Sequence, residues 1–162
     1  EGTYPLPEAQ LDRFFMQINI GYPELEEEKR IVALTTGSPS ETLEKVLSAG
    51  EVKTLQEIVR KVPVPESSLE YAVKLARMSR PGDGAPEFVR KWVTWGAGPR
   101  ASQALTLAAK ARCLLDGRFA VSIDDIKSSA LPVLRHRLVM NFQAEAEGFT
   151  SEALVRKILA EA

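Results

Sequence analysis

"GAGPRASQALTLAAKARCLLDG", residues 96–117, decides the fold. Pro99 suits a first helical position, where its missing N–H costs no hydrogen bond. An alanine- and leucine-rich run follows, and Gly117 closes it. The spacing predicts one long helix over Pro99–Asp116. Ala101, Ala104 and Ala108 share a face, and a tight helix–helix contact in a core is the simplest use of such small side chains. Arg100 fits less well. It occupies the first turn, where the helix dipole is already positive. Gly96 and Gly98 let the backbone approach another surface closely. Free first-turn amides plus a guanidinium make an anion site. A nearby surface carboxylate would serve Arg100 equally, and the residues leave both uses open.

Working outward, helical signals recur. Ser122 and Asp125 have capping-box spacing at the start of "VSIDDIKSSALPVLRHRL", and "TSEALVRKILAEA" reads as a final amphipathic helix. "PEFVRKWVTW" predicts a short helix before the glycines, with Trp92 and Trp95 as core or interface anchors. "ESSLEYAVKLARMSR" predicts a helix with Leu69, Ala72, Val73 and Ala76 inward. "RPGDGAP" is a loop. "EVKTLQEIVRKV" predicts a helix ending before Pro63. Ser38, Pro39 and Glu41 open another that stops at Gly50. "ELEEEKRIVAL" has acids first and bases later, matching the dipole, and ends at Gly37. Arg135, His136 and Arg137 together form a short basic group. With no aromatic beside it, a solvated helix end is the expected role rather than a nucleic-acid contact.

The first residues differ. "LPEAQLDRFF" predicts a short helix opened by Pro7 and Glu8, with Arg13 at its C-terminal end, where a cation suits the dipole. Alternation in "FMQINI", residues 15–20, predicts a strand, and "GYP" breaks it. A lone strand forms no sheet, so residues 1–22 are expected to be poorly anchored without a missing partner. The sum is about seven helices and one orphan strand.

Composition sets the bounds. The chain has 162 residues, 44% hydrophobic and 27% charged, enough for one domain with a core. Net charge is −1, so no global basic field attracts nucleic acid. A single cysteine, Cys113, leaves no internal disulfide and fits a reducing compartment; its helix pattern suggests a buried, inert thiol. One histidine cannot build a histidine-rich metal site, and no metal ligands are expected. No apolar run approaches the roughly 20 residues that cross a bilayer, and no signal peptide is visible. No phosphate-binding glycine loop, serine elbow or zinc spacing appears, so these residues form no complete catalytic site.

Three stretches together closely resemble the C-terminal part of MoxR-type AAA+ ATPases: "EGTYPLPEAQLDRF" (1–14), "GAGPRAS" (96–102) and "DDIKSSALPVLRHRL" (124–138). The likeness extends over nearly the whole chain. It implies a mainly α fold, a helical lid domain over 23–162, with residues 1–22 as the last helix and strand of an α/β ATPase core. It implies that Arg100 is the sensor-2 residue, acting on its own subunit's nucleotide. Arg13 matches the arginine finger, acting in trans on the neighbour's ATP. Nucleotide-binding positions carried over are Tyr22, Pro23, Gly98, Pro99 and Arg100. The phosphate loop and magnesium-binding motif would lie before Glu1. The parent is therefore expected to use ATP and Mg2+, whereas this stretch alone binds neither firmly and turns nothing over. The resemblance further implies a cytoplasmic, chaperone-like remodeller in a ring, hexameric by analogy, working with von Willebrand factor A domain proteins. The alternative is a stand-alone helical protein-interaction adaptor without nucleotide binding.

Overall fold

A computed structural model describes residues 6–37 and 44–162. It is mainly helical. The elements are α1 (Glu8–Leu11), α2 (Leu25–Thr36), α3 (Ala49–Lys61), α4 (Glu66–Met78), α5 (Glu87–Trp92), β1 (Val93–Trp95), α6 (Pro99–Leu115), α7 (Ile123–Leu134), β2 (Val139–Met140), α8 (Phe142–Ala146) and α9 (Ser151–Glu161).

The alanine-rich helix α6 is the centre. It packs chiefly against α7 and α4, α3 touches its outer side, and α9 closes over α7. Ala101, Ala104 and Ala108 are buried with Leu105, Ala109 and the free thiol of Cys113, as the small-residue face requires. Leu75, Leu134, Ile126, Leu154 and Ile158 are fully buried in the same core. Each such side chain contributes roughly 1.5–3 kcal/mol relative to exposure. Trp92 stacks on Phe149 with ring centroids 3.8 Å apart, an anchor for the α5 end of the bundle.

Several boundaries differ from the sequence expectations. The helix over 86–95 ends at Trp92. Val93–Trp95 instead pairs antiparallel with Val139–Met140, Val93 opposite Met140 and Trp95 opposite Val139. A Val-Thr-Trp run suits an extended edge, and these partners lie too far along the chain for local patterning to show. Trp95 stays 70% exposed, so of the two tryptophans only Trp92 packs as an anchor, half-buried against Phe149. On α4 the inward set is Ser68, Tyr71, Ala72, Leu75 and Ala76. Leu69 and Val73, expected inside, are 41% and 39% exposed. Gly50 does not stop a helix: it lies in the first turn of α3, because the Ser48–Glu51 capping box starts that helix just before it. Residues 44–48 are irregular and the expected Ser38–Glu41 cap lies outside the described residues. Residues 16–20 form no strand, since among the described residues none lies alongside to pair with. α2 keeps its Glu24–Glu27 capping box but buries no residue. Leu25, Ile31, Val32 and Leu34 stand at least half exposed, except Ile31 at 49%.

The cap of α7 is the best-formed local device. Asp125 accepts from the Ser122 amide (2.8 Å) and hydroxyl (2.9 Å), and from the Arg118 guanidinium. It is 3% exposed. Those hydrogen bonds, Arg118 first, draw its carboxyl from the ordinary 3.8 down to about 2. A lowered folded value means this support is complete above the ordinary carboxylate range and is lost as pH falls toward 2. Asp125→Asn should lower stability by about 2 kcal/mol at neutral pH, from a weakened cap and a lost charge-assisted hydrogen bond. In thermal melts the gap to wild type should close as the pH is taken from about 4 to 2.

Candidate functional site

The site begins where α4 ends. The Ser79 hydroxyl donates to the Ala76 carbonyl (2.7 Å) and accepts from the Ala97 amide (2.9 Å). Arg80 Nε donates to the Ala97 carbonyl (2.9 Å). This brings Gly96 so near α4 that a Cβ there would collide with the Ser79 carbonyl and stand 2.6 Å from Arg80 Cα. Gly98 has open space around it, so the close approach belongs to Gly96 alone. Gly98 is the extended N-cap of α6 and offers no side chain to the first turn; Pro99 follows at N1. Arg100 leaves from this turn with its side chain 56% exposed.

Its one ionic neighbour among the described residues is Asp12, at 3.8 Å from Oδ2. The surface-carboxylate use of Arg100 is therefore present, as a long, exposed pair worth at most about 1 kcal/mol. The other oxygen of Asp12 accepts from Arg137 Nε at 3.1 Å. Arg137 overturns the solvated-end reading of "LRHRL". Its side chain is only 3% exposed. It donates to the carbonyls of Asp12 (3.2 Å), Phe14 (2.5 Å), Phe15 (3.3 Å) and Val133. Burial lowers its proton affinity and Asp12 opposes that, but a guanidinium remains charged at any physiological pH. His136 Nε2 sits 3.1 Å from the Phe14 carbonyl. Burial pushes this imidazole below its ordinary value, so it is neutral near pH 7 and the Nε2–H tautomer donates to Phe14. Arg135 pairs with Glu152 at 2.9 Å. His136 and Arg137 thus form a fastener, while Arg135 ties the end of α7 to α9. With the Gln17 amide donating to the Pro132 carbonyl (2.9 Å), the fastener holds residues 12–17 against α7, and the expectation of a loose N-terminal segment fails there.

Arg13 lies inside this fastened turn, exposed, with no ion pair among the described residues. The structure brings Arg100 and the Arg13 turn together through one carboxylate, Asp12. Tyr22, fully exposed, and half-buried Pro23 lie outside that cluster. Beside it, an open groove of about 880 Å³ follows α6 from Pro99 to Lys110; Arg60, Arg77, Arg80 and Lys110 line it with no carboxylate among them. Among the described residues no group of histidine, cysteine or acidic side chains could hold a metal ion. No described helix is long and apolar enough to cross a membrane.

Sequence reading passed over Asp12 and misplaced Arg137. A signal existed for the latter. Ile126, Ala130, Val133 and Arg137 recur at helical spacing, and the first three are fully buried.

Residues 88–158 match the AAA lid domain family. The chain is 38% identical over 160 residues to Chaperone MoxR1 of Mycobacterium tuberculosis, covering 98% of this chain and 42% of that protein. It is 41% identical over 160 residues to the uncharacterized protein YeaC of Bacillus subtilis, covering 98% of this chain and 48% of that one. The crystal structure of a "putative ATPase" from Cytophaga hutchinsonii matches with a TM-score of 0.93 at 34% identity, over 100% of this chain and 50% of that chain. The chain therefore spans half or less of the relatives it matches.

Proposed function

We propose that this chain, an AAA lid domain related to MoxR-type AAA+ proteins, is the nucleotide-responsive lid of a ring ATPase. The ring, hexameric in this reading, hydrolyses MgATP and uses the motion to remodel partner proteins. Proteins carrying von Willebrand factor A domains are the proposed partners, and the cytoplasm is the proposed compartment. The observation that carries the reading is the meeting of Arg100, on a bare helix N-terminus, with the turn of Arg13. Both cations are exposed.

In phosphoryl transfer, negative charge spreads over the γ-phosphoryl oxygens, and catalysis is mostly positioning plus electrostatics. Arg100, with Gly98 and Pro99 shaping the first turn, meets the phosphates of its own subunit. A dianionic phosphate is a stronger partner than the distant Asp12 carboxylate, and it also offsets the dipole cost of a cation there. Arg13 points its charge to a neighbouring subunit, so hydrolysis depends on assembly. Tyr22 and Pro23 lie where the chain passes the adenine. The phosphate loop and magnesium ligands come from a core preceding Glu1.

The test is phosphate release. Purified residues 1–162 should release none above buffer with MgATP. The longer protein with its core should turn over, and Arg100→Ala should cut that turnover strongly. Turnover by the short chain that survives purification and disappears on Arg100→Ala overturns the reading. The exposed apolar stripe of α2 favours a second use, as a nucleotide-independent adaptor. An unchanged melting temperature of the longer protein in MgATP would select it.

A further inference from the structure

The geometry points to Asp12 as a coupling residue: its carboxylate joins the phosphate-responsive Arg100 to the turn that presents Arg13, so that phosphate at Arg100 in one subunit resets the cation offered to the next. This rests on the reading of Arg100 given above and adds the route by which its state leaves the subunit.

The two oxygens of Asp12 serve different arginines. Oδ1 meets Arg137, which is buried and fixed by the carbonyls of Asp12, Phe14, Phe15 and Val133. Oδ2 faces Arg100 across 3.8 Å, and Arg100 is 56% exposed. One partner is buried and held by several hydrogen bonds, and the other is exposed and distant. A polyphosphate outside the helix competes only for the second. Once Arg100 turns to it, Asp12 loses its second cation and settles onto Arg137. Arg13 is the next residue, in a turn closed by its own amide to the Gln10 carbonyl (3.0 Å) and that of Phe14 to Leu11 (3.1 Å). A shift of the Asp12 side chain therefore acts on a short, hydrogen-bonded loop rather than dissipating in free chain. Because Arg137 and His136 extend from the end of α7, this turn also travels with the helical bundle. Asp12 and Arg137 are positioning residues here, and neither touches the reacting atoms.

Amide chemical shifts of the 162-residue chain titrated with inorganic tripolyphosphate test this directly. In wild type, the Arg100 and Ala101 amides and the Asp12–Phe14 amides should move together. In Asp12→Asn the first pair should still move and the second set should lose its response. Arg100→Ala, at an exposed position, provides a ligand-free check: its Asp12–Phe14 amides should already lie toward their wild-type polyphosphate-bound positions. Movement at Arg100 without movement at Asp12–Phe14, an undiminished response in Asp12→Asn, or unshifted amides in Arg100→Ala each overturns the coupling and leaves the Arg100 reading intact. No movement at Arg100 or Ala101 at saturating probe overturns that reading, and the coupling with it.

Discussion

Arg13→Ala in the longer, core-bearing protein should cut ATP hydrolysis by roughly 10³–10⁵-fold, the worth of a trans arginine in related phosphoryl transfers. Arg100→Ala should also cut it strongly, and mixing separates the two. Each variant is combined with a subunit whose phosphate-loop lysine is removed but whose arginines are intact. The lysine-deficient subunit can lend Arg13 to the complete site of an Arg13→Ala neighbour, so mixed rings regain activity. It cannot lend Arg100, which serves its own subunit, so mixtures with Arg100→Ala stay inactive. Rescue of Arg100→Ala without rescue of Arg13→Ala would reverse the two roles. Rescue of neither, in rings shown to be mixed, would remove the trans role of Arg13.

Arg137→Met should produce the largest loss of stability. It removes the one tight ionic partner of Asp12 among the described residues and the donors to four carbonyls. Breaking a buried ion pair from one side costs about 3–5 kcal/mol. The Asp12 side chain is 28% exposed and water can reach it, so about 2–4 kcal/mol is expected here. That lowers the melting temperature by roughly 5–15 °C. Arg137→Lys should recover only part, since one ammonium cannot replace a planar fork. Hydrogen exchange gives the sharper signature: the Phe14 and Gln17 amides should lose protection before those of α6. Arg135→Ala, which gives up a partly exposed pair with Glu152, should cost about 1 kcal/mol or less. Equal losses at 135 and 137 would show that the fastener is generic surface charge.

The long helix, its Pro99 start and Gly117 stop, and the Ser122 cap were all legible, because each depends on residues within a few positions of one another. The β1–β2 pairing was not, since Val93 and Met140 are distant in the chain and each run is too short to pattern. The inward face of α4 was misread because Leu69 and Val73 are apolar yet sit beside the cation-lined groove, while Ser68 is buried by a bond to the Val121 carbonyl (3.3 Å). At the site, "GAGPRAS" set Arg100 in an unusual place by type and position, whereas Arg13 in "LDRF" read as an ordinary cation at a helix end and drew attention only through the family resemblance. Their common neighbour Asp12 had no local signature: an acid next to an arginine is ordinary until the fold supplies Arg137 from 125 residues away.

Gly96 joins the start of α6 closely to the end of α4. Its backbone rests directly on Ser79 and Arg80, and Ala97 is bonded to both. Gly96 adds no side chain of its own to this joint, and the Ser79 hydroxyl and Arg80 guanidinium tie Ala97 to the end of α4, so the seat of Arg100 is closely held there. In the proposed lid, a tug on that guanidinium would be borne by the packed helices α4, α6 and α7 together, as on a lever pivoting outside them. In that proposed lid the reach of the stroke would be set by the length of the arm and not by the slack of a loop, and a mutation that softened the Gly96 joint would shorten the stroke without touching either arginine.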